Sequence, residues 1–426
     1  MPGTTNTVKT RRVFYIPGYD PYPPQRYRKL YETEGPKQAD ISGYHLSVAT
    51  AKDRPNAWEV TAEIDGARTR AGIEVLAWSD IVRDTMQASL GASYLQLLLV
   101  AWTYLARGTL RRLAWLRKGP IIAGFYPVLM LLAQLAAAML AGKIAAVLVT
   151  GALASGADWL AGLFGAVATE TMAWTVADFA LGWVIFGAVT VALLSWAKAR
   201  DGKLCAYYLM HDLAFSVSEG GAYPSVLEAR MEEFKRQIAA ALAGPADEVL
   251  VIGHSSGAQL AVSVVAGLMR DGMLPANGPA LSLLTLGQAI PMVSFLPKAD
   301  TLRRDLHELA GDERITWVDI TAPGDGCSFA LCDPVAVTGV APETQRWPLV
   351  LSAAYSQTLS EETFRSLRFR FFRLHIQYLC AFDRPGSYDY FKITAGPDTL
   401  GESFADRKPS MNRIDVPVSR FRSMAA

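Results

Sequence analysis

Two stretches of this chain carry no charge, and they restrict what it can fold into more than any other feature. Residues 119–142 (GPIIAGFYPVLMLLAQLAAAMLAG) form a run of 24, and residues 179–197 (FALGWVIFGAVTVALLSWA) a run of 19. At about 1.5 Å of rise per residue, either is long enough to cross a hydrocarbon core of about 30 Å. Buried core helices of this length keep a polar stripe, and neither run has one. Two membrane spans are therefore predicted, at about 119–142 and 179–197. Between them, residues 144–157 are apolar and rich in small residues, but Lys143, Asp158, Glu170 and Asp178 punctuate the segment. An Asp at mid-membrane costs about 2.5–3.5 kcal/mol, so a span centred on Asp158 is disfavoured and a re-entrant or interfacial piece is expected.

Outside this region the pattern alternates between strands and helices. Residues 13–16 read as a strand, 25–34 as a helix, 43–50 and 58–64 as a strand pair, and 73–78 as another strand. A soluble pattern resumes at residues 204–209. Residues 224–242 then form an amphipathic helix, with Val226, Leu227, Met231, Phe234, Ile238 and Leu242 on one face. Residues 248–252, 280–286 and 315–320 are later strands, with 368–372 as one more. The alternation predicts an α/β fold, a mostly parallel sheet with helices on both faces. Residues 1–83 would be the first part of that domain, 84–203 a membrane-associated helical insertion, and 204–426 the remainder.

Strands on both sides of the insertion must share one sheet, so the number of spans is even. Two is the economical answer; four would need residues 94–105, which are short for a span. Arg107, Arg111, Arg112, Arg117 and Lys118 precede the first run, and Lys198, Arg200 and Lys203 follow the second, whereas the connection has Lys143 against three acids. The positive-inside rule then puts both flanks in the cytoplasm, making this an integral protein of an inner or plasma membrane with the lipid bilayer as its partner. Residues 91–118 mix Tyr94, Trp102, Tyr104 and Trp115 with leucines and arginines. They suit a helix in the headgroup layer, or an amphipathic helix packed on the domain.

A chain of 426 residues accommodates one large α/β domain plus such an insertion. Its 41 Lys and Arg nearly cancel its 40 Asp and Glu, which argues against nucleic acid as a partner. Cys205, Cys327, Cys332 and Cys380 have no metal-ligand spacing, and no metal or cofactor is expected. Cys327 and Cys332 are near enough in sequence to pair in an oxidising compartment, but four reduced thiols are the expectation. No secretory leader is expected, since Lys9, Arg11 and Arg12 lead into an apolar run only as long as a strand.

The chemistry is concentrated where the apolar strand Glu248-Val249-Leu250-Val251-Ile252 runs into Gly253-His254-Ser255-Ser256-Gly257, followed by a small-residue helix over 258–269. A strand, a Gly-x-Ser-x-Gly turn and a helix in this order resemble the nucleophile elbow of the α/β-hydrolase superfamily, with Ser255 as nucleophile. A Ser hydroxyl needs a His to take its proton and a carboxylate to orient that His. The resemblance implies the chain order Ser, acid, His. Of five histidines, His45 and His211 precede the Ser, His254 lies in the elbow and His307 sits in a charged helical stretch. His375 is the one well-placed base. The acid is expected after the strand at 315–320, where Asp325 stands in Pro323-Gly324-Asp325-Gly326; Asp333 is its rival, and Asp319 is still within the strand. Backbone amides of Ser256 and of Tyr19, in the loop Pro17-Gly18-Tyr19 after the first strand, would form the oxyanion hole.

Thr285-Leu286-Gly287-Gln288-Ala289-Ile290-Pro291 also resembles a strand-end turn of lipase-like and esterase-like members. The likeness covers residues 12–80 and 204–395. It is partial at the oxyanion loop, where many members carry His-Gly and this chain has Pro17-Gly18. The insertion also precedes the elbow, so it is not equated with a lid. The resemblance implies cleavage of esters, thioesters or amides through an acyl-enzyme, and the apolar runs point to an apolar acyl ester as substrate. Two other readings stay open: an acyltransferase using the same triad, and a non-catalytic membrane scaffold on a hydrolase-like fold. A transporter would want charges within the membrane, for which Asp158 and Asp178 are the only hints.

Overall fold

The computed structural model of the chain describes residues 7–51, 54–202 and 204–425. It contains one eight-stranded sheet: β1 Thr10–Ile16, β2 His45–Thr50, β3 Ala57–Ile64, β4 Ala67–Val75, β5 Glu248–His254, β6 Ala280–Leu286, β7 Ile315–Thr321 and β8 Leu349–Ser352. Their order across the sheet is β2-β3-β4-β1-β5-β6-β7-β8. The six from β4 to β8 pair in parallel, while β3 runs antiparallel to both β2 and β4. Every residue of β5 is buried, as expected of a central parallel strand covered on both faces. β3 and β4 are joined by Asp65-Gly66, both at positive φ, the backbone that a two-residue hairpin of matching twist requires.

The chain divides into two compact units. One comprises Met1–Met86, Trp102–Ala123 and Phe215–Ala426 and carries the sheet; the other comprises Gln87–Ala101 and Gly124–Ala214. β1 and β4 come before the insertion and β5 to β8 after it, yet all share one sheet. The chain therefore leaves and rejoins a single body.

Several elements differ from the sequence reading. The first helix, Gln25–Ser42, runs on through Pro36 and stops at Gly43, which takes the left-handed C-cap at φ 72°. β4 starts at Ala67 and ends at Val75, and the Leu76 amide adds one last ladder bond to the Tyr15 carbonyl (2.9 Å). The pattern at 204–209 opens a helix, Ala206–Val217. Residues 368–372 are not a strand: they are exposed and lead into the helix Phe371–Ile376. The edge strand is instead the four-residue β8, too short for an alternating pattern to reveal. Residues 91–118 are two helices, Leu90–Ala106 and Thr109–Leu116, broken at the left-handed Gly108.

The apolar insertion is a helical hairpin. Lys118–Gly162 and Met172–Ala199 are long and apolar enough, by length and composition, to cross a membrane, and both are mostly exposed. Residues 144–157 continue the first helix without a break, so the re-entrant piece is not formed; small and apolar residues there give the backbone no reason to stop. The two helices touch where a Cβ on Gly142 would lie 2.6 Å from Thr190 Oγ1 and 2.7 Å from the Phe186 carbonyl. Such small-residue contacts let helix backbones approach in lipid. This antiparallel register sets Lys143 beside the middle of the second charge-free run rather than at its end. Asp158 accepts from Thr169 N (2.9 Å) and Thr169 Oγ1 (2.8 Å), closing the connection between the helices.

Candidate active site

The strand-to-helix turn after β5 holds Ser255 at φ 58°, a left-handed backbone that side chains seldom adopt and that costs about 1–3 kcal/mol. Surrounding contacts maintain it. The Ser255 amide donates to the Leu286 carbonyl at the end of β6 (2.9 Å), and the Ser255 carbonyl accepts from Ala258 N (3.2 Å) and Ala289 N (3.4 Å). The helix Gly257–Arg270 then packs almost wholly buried against the sheet. A Cβ on Gly257 would lie 2.3 Å from the Ile16 carbonyl and 2.4 Å from that of Pro17, so the bare glycine lets this helix start against the end of β1. Gly257→Ala is expected to destabilise the protein by about 2–4 kcal/mol, because the obstructing atoms are backbone. Gly91→Ala, where nothing lies within 4 Å, should leave thermal unfolding in detergent nearly unchanged.

His375 enters from the helix Phe371–Ile376. Its Nδ1–H donates to Asp325 Oδ2 (2.7 Å), with both side chains buried. Asp325 Oδ2 also accepts from the Tyr378 hydroxyl (3.0 Å), and its Oδ1 from the Cys327 amide (2.9 Å). Burial works to raise this carboxyl's pKa, but the His375 charge and these hydrogen bonds outweigh it and hold the group below the usual carboxylate value. Asp325 therefore stays ionised. The opposite nitrogen, His375 Nε2, is buried and has no hydrogen-bond partner among the described residues. The pair rests on Gly287, at φ 52° just past β6. A Cβ there would lie 2.6 Å from Tyr378 Cε2, 3.0 Å from His375 Cε1 and 3.3 Å from Asp325 Oδ2. Since Leu286 also receives the Ser255 amide, Ser255, Asp325 and His375 converge on the end of β6.

Two contributors were not singled out from sequence. Tyr378 lies three residues after His375, and its hydroxyl also accepts from the Ala322 amide (2.9 Å), tying the end of β7 to the segment that carries His375. His254, inside the elbow, stacks on the His375 ring with centroids 4.8 Å apart. Its Nε2–H donates to the His375 carbonyl (3.1 Å), and its Nδ1 faces the Tyr15 hydroxyl (3.1 Å). Burial and the neighbouring His375 charge push the His254 pKa down to about 3, so this ring is neutral and works as a backbone clamp. Tyrosines and a histidine among apolar residues look like ordinary core, and no spacing rule distinguishes them.

No protein-family model matches this chain, and neither a curated protein nor a solved structure does so.

In the loop after β1, Gly18 packs so closely that a Cβ there would lie 3.0 Å from Ser255 Cβ. The Tyr19 amide, however, already donates to Ser256 Oγ (2.9 Å). The Ser256 side chain does not cap its own helix but reaches across to the loop after β1. Asp333 is not beside His375. Its Oδ1 caps the short helix Pro334–Thr338 through the Val335 and Ala336 amides (2.9 and 3.1 Å), and its Oδ2 accepts from Gln345 Nε2 (2.8 Å). None of the four cysteines is joined in a disulfide. Asp325, Cys327 and His375 offer metal-ligand atoms within 4.8 Å of one another. The 2.7 Å separation between Asp325 and His375 is nonetheless that of a hydrogen bond; two ligands at about 2.0 Å on a tetrahedral ion stand about 3.3 Å apart.

Asp319, one strand turn from this loop, is fully buried in β7. Its Oδ1 accepts from Thr285 Oγ1 (2.6 Å) and its Oδ2 has no partner among the described residues. Burial pushes its pKa up to about 8. A carboxyl whose folded pKa is raised holds its proton in the folded chain and loses it on unfolding, so its cost to stability grows as pH rises from about 4 to about 8. Asp319→Asn should therefore stabilise the protein by on the order of 1 kcal/mol per pH unit across that window and not below it. Thermal unfolding of both proteins at pH 5 and pH 8 measures this; an equal difference at the two values would refute it.

Proposed function

We propose that this chain is a serine hydrolase of the α/β-hydrolase kind, anchored in a membrane by its apolar helix pair and cleaving an ester of an apolar acyl chain. The reading is carried by one conjunction. A serine in a strained left-handed turn is tied to the end of β6, and against the glycine that follows packs a histidine whose Nδ1 is fixed by an ionised carboxylate and whose Nε2 is buried without a partner among the described residues. Ser255 Oγ attacks the acyl carbonyl and passes its proton to His375 Nε2, while Asp325 stabilises the resulting imidazolium. His375 then returns that proton to the alcohol as the ester C–O bond breaks, leaving an acyl-Ser255. Water, deprotonated by the same nitrogen, attacks the acyl carbonyl; the bond to Ser255 Oγ breaks, the acid departs and the serine takes its proton back. The oxyanion is received by the Ser256 amide at the start of its helix and by the Tyr19 amide, which Ser256 Oγ must release as the oxyanion forms.

One topological point separates the chain from the superfamily pattern. The strand opening into the oxyanion loop is the third there and the first here, but it still lies directly beside the elbow strand. The apolar acyl ester follows from the membrane-length helices, and the cytoplasmic placement from the basic flanks. Fluorophosphonate labelling of membranes containing the full chain tests the chemistry: label should attach to Ser255 and fall sharply in His375→Ala. Absence of labelling, or labelling that survives Ser255→Ala, sinks the hydrolase reading. A reporter fused after residue 426 should report the cytoplasmic side.

A further inference from the structure

Immediately before His375 the chain exposes six consecutive residues: Arg368, Phe369, Arg370, Phe371, Phe372 and Arg373. Phe369 is 75 % exposed. Other large hydrophobic residues exposed after residue 215, namely Val226, Met273, Met411 and Val416, stand singly, so three phenylalanines within four positions form a distinct patch. Arg365 pairs with Glu361, whereas Arg368, Arg370 and Arg373 have no carboxylate partner among the described residues. The Arg368 guanidinium lies 4.5 Å over the Phe369 ring. Residues 365–373 thus hold four arginines and no acid. Aromatic rings alternating with unpaired cations suit a bilayer headgroup layer, where rings enter the acyl boundary and guanidinium groups meet phosphates.

The position of the patch selects the partner. Gly326, in the loop that carries Asp325, lies against Phe371: a Cβ on Gly326 would be 3.4 Å from Phe371 Cδ1. The same glycine lies against Gly119, where a Cβ would be 3.1 Å from Gly326 Cα. Gly119 begins the first charge-free run, so the patch and the root of the first apolar helix meet at one loop within the sheet-bearing unit.

We infer that residues 368–373 are an interfacial anchor that docks on anionic phospholipid headgroups of the bilayer holding the apolar helices. This seats the helix of His375 at the lipid surface, where an ester of a membrane lipid presents its carbonyl. The inference rests on the proposed membrane insertion and not on the hydrolase chemistry. At roughly fivefold in partition for each arginine, three supply a preference for anionic over neutral surfaces on the order of a hundredfold.

The test uses the full chain in lipid nanodiscs of phosphatidylcholine alone or with about one-third phosphatidylglycerol. Hydrogen–deuterium exchange is followed in peptides covering 365–376. Exchange there should slow by on the order of tenfold or more in the anionic discs. The slowing should disappear in the triple variant Arg368→Gln, Arg370→Gln, Arg373→Gln, with exchange in β5 and β6 unchanged as evidence that the variant folds. Equal exchange in the two lipids, or protection that persists in a folded triple variant, overturns the anchor. Should β5 and β6 exchange faster in that variant, Arg370→Gln alone must reduce the protection, and no reduction overturns the anchor equally. Release of the wild-type chain by alkaline carbonate would instead remove the membrane insertion itself, a separate failure from loss of fluorophosphonate labelling.

Discussion

Ser255→Ala is expected to reduce hydrolysis of p-nitrophenyl acyl esters by about 10⁴- to 10⁶-fold while the protein still folds. The loss is large because, in the proposed mechanism, the hydroxyl forms the covalent bond to the acyl group. What survives would come from the oxyanion amides and from binding alone. The companion Ser255→Gly separates chemistry from strain. Ala at this position keeps a Cβ at φ 58°, as Ser does, and inherits the strained turn. Gly removes the Cβ and should raise stability by about 1 kcal/mol while being as inactive as Ala. Esterase rates and thermal unfolding in detergent, measured on all three proteins, give both comparisons. An Ala variant retaining wild-type turnover would end the reading of Ser255 as nucleophile.

The sheet was largely legible because parallel strands buried on both faces write themselves as short apolar runs. Residues 248–252, 280–286 and 315–320 are such runs, and each lies within a strand of the sheet. The elbow was legible for a different reason: Gly257 is obligatory where an added Cβ would lie 2.3 Å from the Ile16 carbonyl oxygen, and that need prints itself in sequence. β8 was not legible, since four residues are too few for a period. Residues 368–372 were misread because alternating Arg and Phe imitate a half-buried strand, whereas here both residue types face outward. The extent of the first apolar helix was underestimated for a related reason. Lys143 and Asp158 count against membrane burial, but neither interrupts a helical backbone. Within the site, chain order pointed to Asp325 and His375, while the supports of that pair were invisible. His254 fills an unspecified position of the elbow motif and Gly287 lies in the turn after β6, but their contacts, like those of Tyr378, join segments that no spacing rule brings together.

The two aspartates proposed from sequence as alternative acids now call for opposite outcomes. Asp325→Asn is expected to lower kcat by about 10⁴-fold with little change in fold. An amide in place of the carboxylate can present its NH₂ to Nδ1, which favours the tautomer with hydrogen on Nε2, the nitrogen that accepts the serine proton in the proposed mechanism. In the proposed mechanism the buried carboxylate is also the charge that balances the imidazolium, and a neutral amide supplies none. Asp333→Ala should instead leave kcat within a few-fold of wild type. It removes the cap from Pro334–Thr338 and leaves Gln345 Nε2 short of an acceptor, at a cost of about 1–2 kcal/mol. Steady-state esterase kinetics and thermal unfolding on both variants make the comparison. The assignment fails if Asp333→Ala loses turnover without losing stability, or if Asp325→Asn keeps it. Tyr378→Phe offers a graded check on the same carboxylate. It deletes one of three donors to Asp325 and the acceptor for the Ala322 amide, leaving the His375 contact in place. The resulting loss in kcat should be on the order of tenfold, far smaller than for Asp325→Asn, because the charge that orients the base remains.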